Sequence, residues 1–311
     1  MSSIAGINAY RFRIPFRRNV MLAGTPVSQR EGILQEHNGR WAEASPLPGF
    51  SSESIDDVIA ALRGDYNNKP VPAALSFALS SLVAPMPTRL QVPLNGLLLG
   101  DETQILADAK NCSQRCFAAV KLKVGRNALD SEFRLVRQVR DLLPADIHLR
   151  LDANQAWTFE EAEEFFKRVE GVDIEYVEEP LQDPDQLEKL FATTGIGYAL
   201  DESLKGGNSL EKWPNVTALI CKPTILGGRK AIAELGTEET MKVFSSAFES
   251  GVGIARIMQL AAEFSPGTPA GVDTLAYMID DLLIRSPSVR HGSLILEEFA
   301  VNCESLERLL P

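Results

Sequence analysis

Two rhythms of apolar and polar residues divide the chain. From about residue 90 onward, short apolar runs recur between segments whose apolar residues return every three or four positions. The runs VPLNGLLL, AAVKLKV, IHLRLDA, IEYVEEP, YALDES, ALICKP, MKVFSSAF and PAGVDT read as eight strands. Segments such as SEFRLVRQVRDLL and FEEAEEFFKRVE between them read as amphipathic helices. This alternation predicts a parallel sheet, and eight such strands close naturally into a barrel. An open doubly wound sheet would normally carry a glycine-rich phosphate turn after its first strand, and the sequence has none.

The first ninety residues follow a different pattern. EGILQEHNGRWAE, residues 31–43, is two strand-like runs around Asn38-Gly39, a dipeptide that readily takes the positive φ angles of a tight hairpin turn. After the loop SPLPGFSSES, Ser54 with Asp57 three residues on makes a capping box for the helical stretch IDDVIAALRGD. The expected organisation is an α+β domain over 1–90, a barrel over 91–289, and a tail of about 290–311 that returns to pack on the first domain.

Composition narrows the function classes. The 311 residues are 45% apolar and 23% charged, enough for a large core without disulfide staples. With 31 basic against 42 acidic residues the net charge is −11, and no basic cluster with interleaved aromatics is present, so nucleic acid is not the expected partner. Arginines interrupt the first twenty residues where a secretory signal needs an apolar stretch, and no run of about 18 apolar residues occurs. The reading is cytosolic, with no membrane partner. Cys112, Cys116, Cys221 and Cys303 are too scattered for a disulfide framework. Cys112 and Cys116 could share a helix face as a zinc pair, but small packed side chains are the simpler reading.

The chemistry is expected where charged residues end apolar strands, because barrel active sites form at the C-terminal strand ends. Lys121 and Lys123 close the second strand, Asp152 the third, Glu178 the fourth, Asp201 the fifth and Lys222 the sixth. The gaps from Lys123 are 29, 26, 23 and 21 residues, each about one strand–helix unit. Strand alternation lets Lys121 and Lys123 share an inward face, as it does Arg150, Asp152 and Asn154. Strands two and six of eight lie half a circuit apart, so Lys123 and Lys222 should oppose each other with the three acids between. Three converging carboxylates repel unless a cation sits among them, and an all-oxygen set suits Mg²⁺ or Mn²⁺. Each element alone has a bland explanation: KLK as a surface strand, Glu178-Glu179-Pro180 as a strand end, Asp201-Glu202-Ser203 as a helix cap. The ordered set of six does not. His37, His148 and His291 fall outside it.

The ordered elements KLK, LDAN, EEP, DES and CKP resemble the enolase superfamily, in its muconate-cycloisomerase-like subgroup. EASPLPGFS (43–51), LRLDANQAW (149–157), EEPLQD (178–183), DESL (201–204), CKPTILGG (221–228), SSAFESGVGI (245–254) and GVDTL (271–275) resemble its o-succinylbenzoate synthase family. Such sites pair a lysine or histidine base with magnesium, so that pairing belongs to the resemblance. It implies a (β/α)7β barrel with an α+β capping domain whose loops close the pocket. It also implies Mg²⁺ on Asp152, Glu178 and Asp201. Lys123 would be the acid/base lysine supported by Lys121, and Lys222 would stabilise the intermediate. Arg150 and Asn154 would support the site, while Ser245, Ser246 and Gly271 would contact the succinyl group or ring carboxylate. The implied reaction is a dehydration in menaquinone biosynthesis, acting on a small carboxylate in a protein that can be monomeric. Arg17 to Arg30 falls where the family carries a lid, but its motif is poorly matched there.

Three other readings use the same residues. A racemase or dipeptide epimerase of the superfamily would use Lys123 and Lys222 as two bases, but Asp273 is a single aspartate where dipeptide epimerases carry Asp-x-Asp. A Schiff-base aldolase would use Lys222 as nucleophile and has no need of three acids. A catalytically silent barrel would not be expected to keep both lysines and all three acids.

Overall fold

A computed structural model describes residues 6–66, 69–112, 114–205, 210–304 and 306–310. The N-terminal region is a four-stranded antiparallel sheet with two helices on one face. β1 (Asn8–Leu22) and β2 (Thr25–His37) form a long hairpin, β3 (Arg40–Ala44) pairs with β2, and β14 (Glu307–Leu310) pairs with the outer edge of β1. Asn38 and Gly39 turn the chain with φ +52° and +76°, as their dipeptide predicts. A second tight turn at Ala23 and Gly24, φ +45° and +78°, was not anticipated, because alanine carries no preference for that conformation.

Helix α1 (Ile55–Arg63) has the predicted capping box: Ser54 Oγ accepts from Asp57 N, and the Asp57 carboxylate accepts from Ser54 N. Gly64 ends it at φ +82°. Val58, Ala61 and Leu62 of α1 and Ala74, Leu75 and Ala78 of α2 (Ala73–Val83) pack on Ala9, Ile33, Ala42 and Ala44. The opposite face of the sheet presents Phe12, Ile14, Phe16 and Leu34 to the main core. Fully burying a side chain of that size contributes about 1.5–3 kcal/mol.

Seven parallel strands follow in the sheet order of the chain: β5 (Asn95–Leu98), β6 (Ala119–Lys123), β7 (His148–Asp152), β8 (Tyr176–Glu178), β9 (Tyr198–Leu200), β10 (Ala218–Cys221) and β11 (Met241–Phe244). The eighth expected strand, PAGVDT, is reduced to two parallel bridges, Leu94 to Ala270 and Ser245 to Gly271, which join β11 to β5 and close the ring. Before β5, β4 (Leu90–Pro93) pairs with β13 (Ser293–Leu296), itself paired with β12 (Ser288–Arg290). Of the tail, residues 288–296 therefore lie with β4, and 307–310 reach the cap sheet.

Helices α3 (Glu102–Asn111), α4 (Leu129–Leu142), α5 (Phe159–Arg168) and α6 (Leu187–Thr194) follow β5 to β8 in turn, α7 (Pro223–Leu226) and α8 (Arg229–Ala233) both follow β10, and α9 (Gly251–Phe264) follows β11. In α5, Thr158 and Glu161 form a capping box, acids open the first turn and Lys167 and Arg168 close the last. Ala162, Phe165 and Phe166 supply its buried stripe. Cys112 and Cys116 do not share a helix face: α3 ends at Asn111, Cys112 is buried and Cys116 is exposed at φ +57°. Among the described residues no helix is long and apolar enough to cross a membrane.

Inside the ring, Tyr176, Ala199, Ala218, Ile220 and Val243 form a small core of their own. Leu122, Leu149, Leu151, Val177 and Leu200, which alternate with inward residues, face the helices in the larger core. The cap sits over the C-terminal strand ends. Leu22, Leu47 and Phe50 meet Ile225 of α7 and Ala247 and Phe248 of the loop after β11.

Candidate active site

Strand register brings the charged residues together. Lys123 is paired with Asp152, and Asp152 with Glu178, across β6, β7 and β8. Residues aligned in a parallel ladder project to the same face, so all three point into the barrel mouth. Asp201 follows β9 and Lys222 follows β10 on the continuing arc. Asp152 and Glu178 are at most 1% exposed and Asp201 is 7% exposed.

The three lysines take up the carboxylates. Lys121 Nζ lies 2.8 Å from Asp152 and 3.1 Å from Glu178, while Lys123 Nζ lies 2.6 Å from Asp152 and donates to Asn154 Oδ1 at 2.7 Å. Lys222 Nζ donates to Asp201 Oδ2. Burial alone would raise the Asp152 pKa, yet Lys121 and Lys123 hold it well below the usual carboxylate range. Burial, with Asp152 and Asp201 close by, pushes Glu178 up to about 8 despite Lys121 and Lys222. Burial works against the charges of Lys121 and Lys222 too, but their acidic partners keep both pKa values above the ordinary lysine value.

Glu202, which sequence reasoning passed over, completes the cluster. Its Oε1 accepts from Asn154 Nδ2 at 3.3 Å, and its Oε2 is buried with no hydrogen-bond partner. Asn154 therefore links Lys123 to a fourth carboxyl group. The only sequence signal was that DES holds two adjacent acids, of which the strand pattern selects one. Glu179, the second acid of EEP, was likewise not assigned a role, yet it is fully buried beneath the same loops.

Not every expected contact forms. Arg150 shares the inward face of β7 but does not reach the mouth. Its guanidinium turns toward the N-terminal end, bound to Glu175 and to the Pro269 carbonyl at 2.9 Å, with the Tyr176 ring 5.3 Å away. It braces the ring from within, one layer below the acids. Ser245, Ser246 and Gly271 line the opposite arc. Ser246 Oγ bonds Thr274 Oγ1 at 2.9 Å, and Ser245 Oγ reaches the Gly271 carbonyl at 3.4 Å.

The donor set fits a hard divalent cation. Four carboxyl groups face three ammonium groups, the ligand atoms are all oxygen, and one buried carboxylate oxygen lacks any partner. Among the described residues no three acidic, histidine or cysteine side chains are already gathered to hold an ion; Asp152, Glu178 and Asp201 are each paired with lysine instead. Asp152, Glu178 and Asp201 are the residues that would hold one, with Glu202 beside them.

Residues 104–298 match the family model described as enolase C-terminal domain-like, and residues 4–69 match that described as MenC, N-terminal domain. An o-succinylbenzoate synthase from Enterobacter sp. (strain 638) is 33% identical over 306 residues, covering 91% of this chain and 94% of that protein. The chain belongs to the o-succinylbenzoate synthase family of the enolase superfamily. The crystal structure of the o-succinylbenzoate synthase from Thermosynechococcus elongatus BP-1, complexed with Mg in its active site, is 25% identical with a TM-score of 0.74. It covers 90% of this chain and 96% of that one. The substrate-liganded L-Ala-D/L-Glu epimerase from Bacillus subtilis, at 18% identity and a TM-score of 0.76, covers 98% and 99% and shares the fold. The o-succinylbenzoate synthase family thus accounts for both parts of the chain, the capping sheet and the barrel.

Proposed function

We propose that this protein is a Mg²⁺-dependent o-succinylbenzoate synthase of menaquinone biosynthesis, acting in the cytoplasm. It would remove water from 2-succinyl-6-hydroxy-2,4-cyclohexadiene-1-carboxylate to give o-succinylbenzoate. The observation that carries this reading is the placement of Lys123 and Lys222 on opposite arcs of the ring, flanking three buried carboxylates.

A proton on the carbon beside a carboxylate is very weakly acidic, so the negative charge left behind needs stabilisation as it forms. Asp152, Glu178 and Asp201 would hold Mg²⁺, which would supply Lewis-acid stabilisation of that charge, and Mn²⁺ is expected to substitute. The amine form of Lys123 is the one that can take the proton. Lys222, held charged by Asp201 and Glu178, offers its ammonium to the developing enediolate from the other face. Lys121 stays charged and orients Asp152 and Glu178. The protonated Lys123 then gives its proton to the departing hydroxide on the same face. One C–H and one C–O bond break, water leaves, and the ring becomes aromatic. Ser245, Ser246 and Gly271 are proposed to contact the succinyl group or the ring carboxylate.

The test is to incubate the protein with the cyclohexadiene substrate, with Mg²⁺ and with chelator, and follow the aromatic product by absorbance. Product formation only with metal is expected. Absence of product, or an equal rate in chelator, would overturn the reading. Loss of optical rotation from an N-succinylamino acid, without aromatic product, would assign the lysine pair to racemisation instead.

A further inference from the structure

Glu179 has no part in the proposed proton transfers, yet it stands where the ligand loops meet. It directly follows Glu178, is 0% exposed, and takes φ +42°, a left-handed conformation that side-chain-bearing residues rarely adopt. Its neighbour Glu178 stays on the inward face of β8, while the Glu179 side chain lies between the loops after β7 and β9. Glu179 Oε1 accepts from the main-chain amides of Asp201 and Ser203, both at 2.7 Å. Oε2 accepts from Ser203 Oγ at 2.8 Å and from Gln155 Nε2 at 3.0 Å. The Glu179 carbonyl accepts from Gln155 N at 2.7 Å, and its amide donates to the Ala199 carbonyl at 3.0 Å.

A single residue of the loop after β8 thus bonds the loops after β7 and β9, and each of these three loops adjoins one of the three buried acids. The loop after β7 is itself left-handed at Asn154, φ +47°, and Gln155, φ +58°. Backbone strain repeated within one site persists only where the surroundings over-determine it, and four donors on one buried carboxylate supply that constraint. Every polar atom of the Glu179 side chain is occupied by the loops rather than by a lysine.

We propose that Glu179 is a positioning residue of the cation site. It fixes the Asp201 main chain and the Asp152–Gln155 turn relative to Glu178, so that the strand ends carrying the three acids keep their places around the point where a divalent ion would bind. The proposal rests on the reading that these acids bind a cation, and it does not depend on which substrate is turned over. Groups that orient metal ligands commonly account for roughly 10–100-fold in metal affinity.

The test is a Mn²⁺ titration followed by electron paramagnetic resonance, on substrate-free protein, with thermal denaturation alongside. Glu179→Ala is expected to weaken Mn²⁺ by roughly 100-fold. Glu179→Gln keeps an acceptor for the two amides and is expected to weaken it by roughly tenfold with little change in Tm. The control is Glu188→Ala. Glu188 is another carboxylate bonded by several groups, accepting from Tyr198 OH and from Asn215 N and Nδ2, but it serves the N-terminal start of β9. Its loss is expected to lower Tm and leave Mn²⁺ binding unchanged. Unaltered affinity in folded Glu179→Ala, or equal weakening in Glu188→Ala, overturns the role. Should Glu179→Ala not fold, unaltered affinity in Glu179→Gln does the same. A wild type that binds Mn²⁺ but makes no aromatic product sinks the proposed reaction and leaves the positioning role intact. Full turnover in variants of unmoved Mn²⁺ affinity sinks the positioning role alone.

Discussion

The seam between cap and barrel and the barrel mouth both bury charge, and the partners differ in kind. At the seam, Arg30 donates to the carbonyls of Ser45, Pro46 and Phe248, and Arg256 to those of Trp41 and Ala84. Glu43 accepts from Ser250 N and Gly253 N, at the start of α9, and from the Ser45 and Ser250 hydroxyls. In the mouth, charges meet charges carried on long lysine side chains, and one Glu202 oxygen is left over. Neutral partners fixed by the backbone cannot be exchanged without moving the fold. Mobile ammonium groups can be exchanged for another cation, which is what a binding site needs. Buried charge therefore serves architecture in one region and exchange in the other.

The contrast is broken or sharpened by removing charges from each region. The largest effect is expected from Lys123→Ala, which should lower kcat by about 10⁴-fold, the upper end for acid–base catalysis, with Tm close to wild type. Lys222→Ala should lower it by about 10²–10³-fold. Product absorbance and thermal melts measure both; near wild-type turnover in Lys123→Ala would remove it from the base role. At the seam, Glu43→Ala should cost about 3–5 kcal/mol of stability in urea unfolding, since several buried donors lose their acceptor together. A loss below about 1 kcal/mol would show that the seam is as exchangeable as the mouth.

The smallest effect concerns pH. Burial beside Asp152 and Asp201 makes Glu178 bind its proton more tightly in the folded than in the unfolded chain. That contribution is full below the ordinary glutamate value of 4.5 and is lost as pH rises through about 8. Without divalent cation, Glu178→Gln, which cannot titrate, should gain in Tm relative to wild type across that window. Saturating Mg²⁺ should reverse the order, because only the wild type binds it well. A pH-independent difference would contradict the burial of Glu178 among like charges.

Much of this could be read before any coordinates. The hairpin at Asn38-Gly39, the Ser54 capping box and the alternation of strands with helices are local patterns, and local patterns determine them. Lys121, Lys123, Asp152 and Glu178 were legible because residues two apart on a strand, or in register across a parallel ladder, share a face. Alternation says nothing about which way a long side chain travels, so it puts Arg150 on the same inward face as Asp152 although its head turns the other way, to Glu175. Nor does it continue past the strand end. What the second acids, Glu179 and Glu202, touch depends on backbone angles such as φ +42° at Glu179, which no residue preference announces. The eighth strand was counted correctly in sequence, but its reduction to single bridges at Ala270 and Gly271 is set by ring closure, a property of the assembled barrel.

The attachment of Glu43 to the first turn of α9 constrains how a ligand could enter. Swinging the cap sheet away as one body would strip a barrel helix of its acceptor, part Arg30 from the Phe248 carbonyl and part Arg256 from the Trp41 and Ala84 carbonyls at once. β1 is also fastened to the barrel by the Phe16–Met278 bridge and by Arg17 on the Ala276 carbonyl. Beyond that point the hairpin ends in the Ala23-Gly24 turn, where Met21 is 62% exposed. The doorway is thus narrowed to the hairpin tip, while the frame around it stays shut.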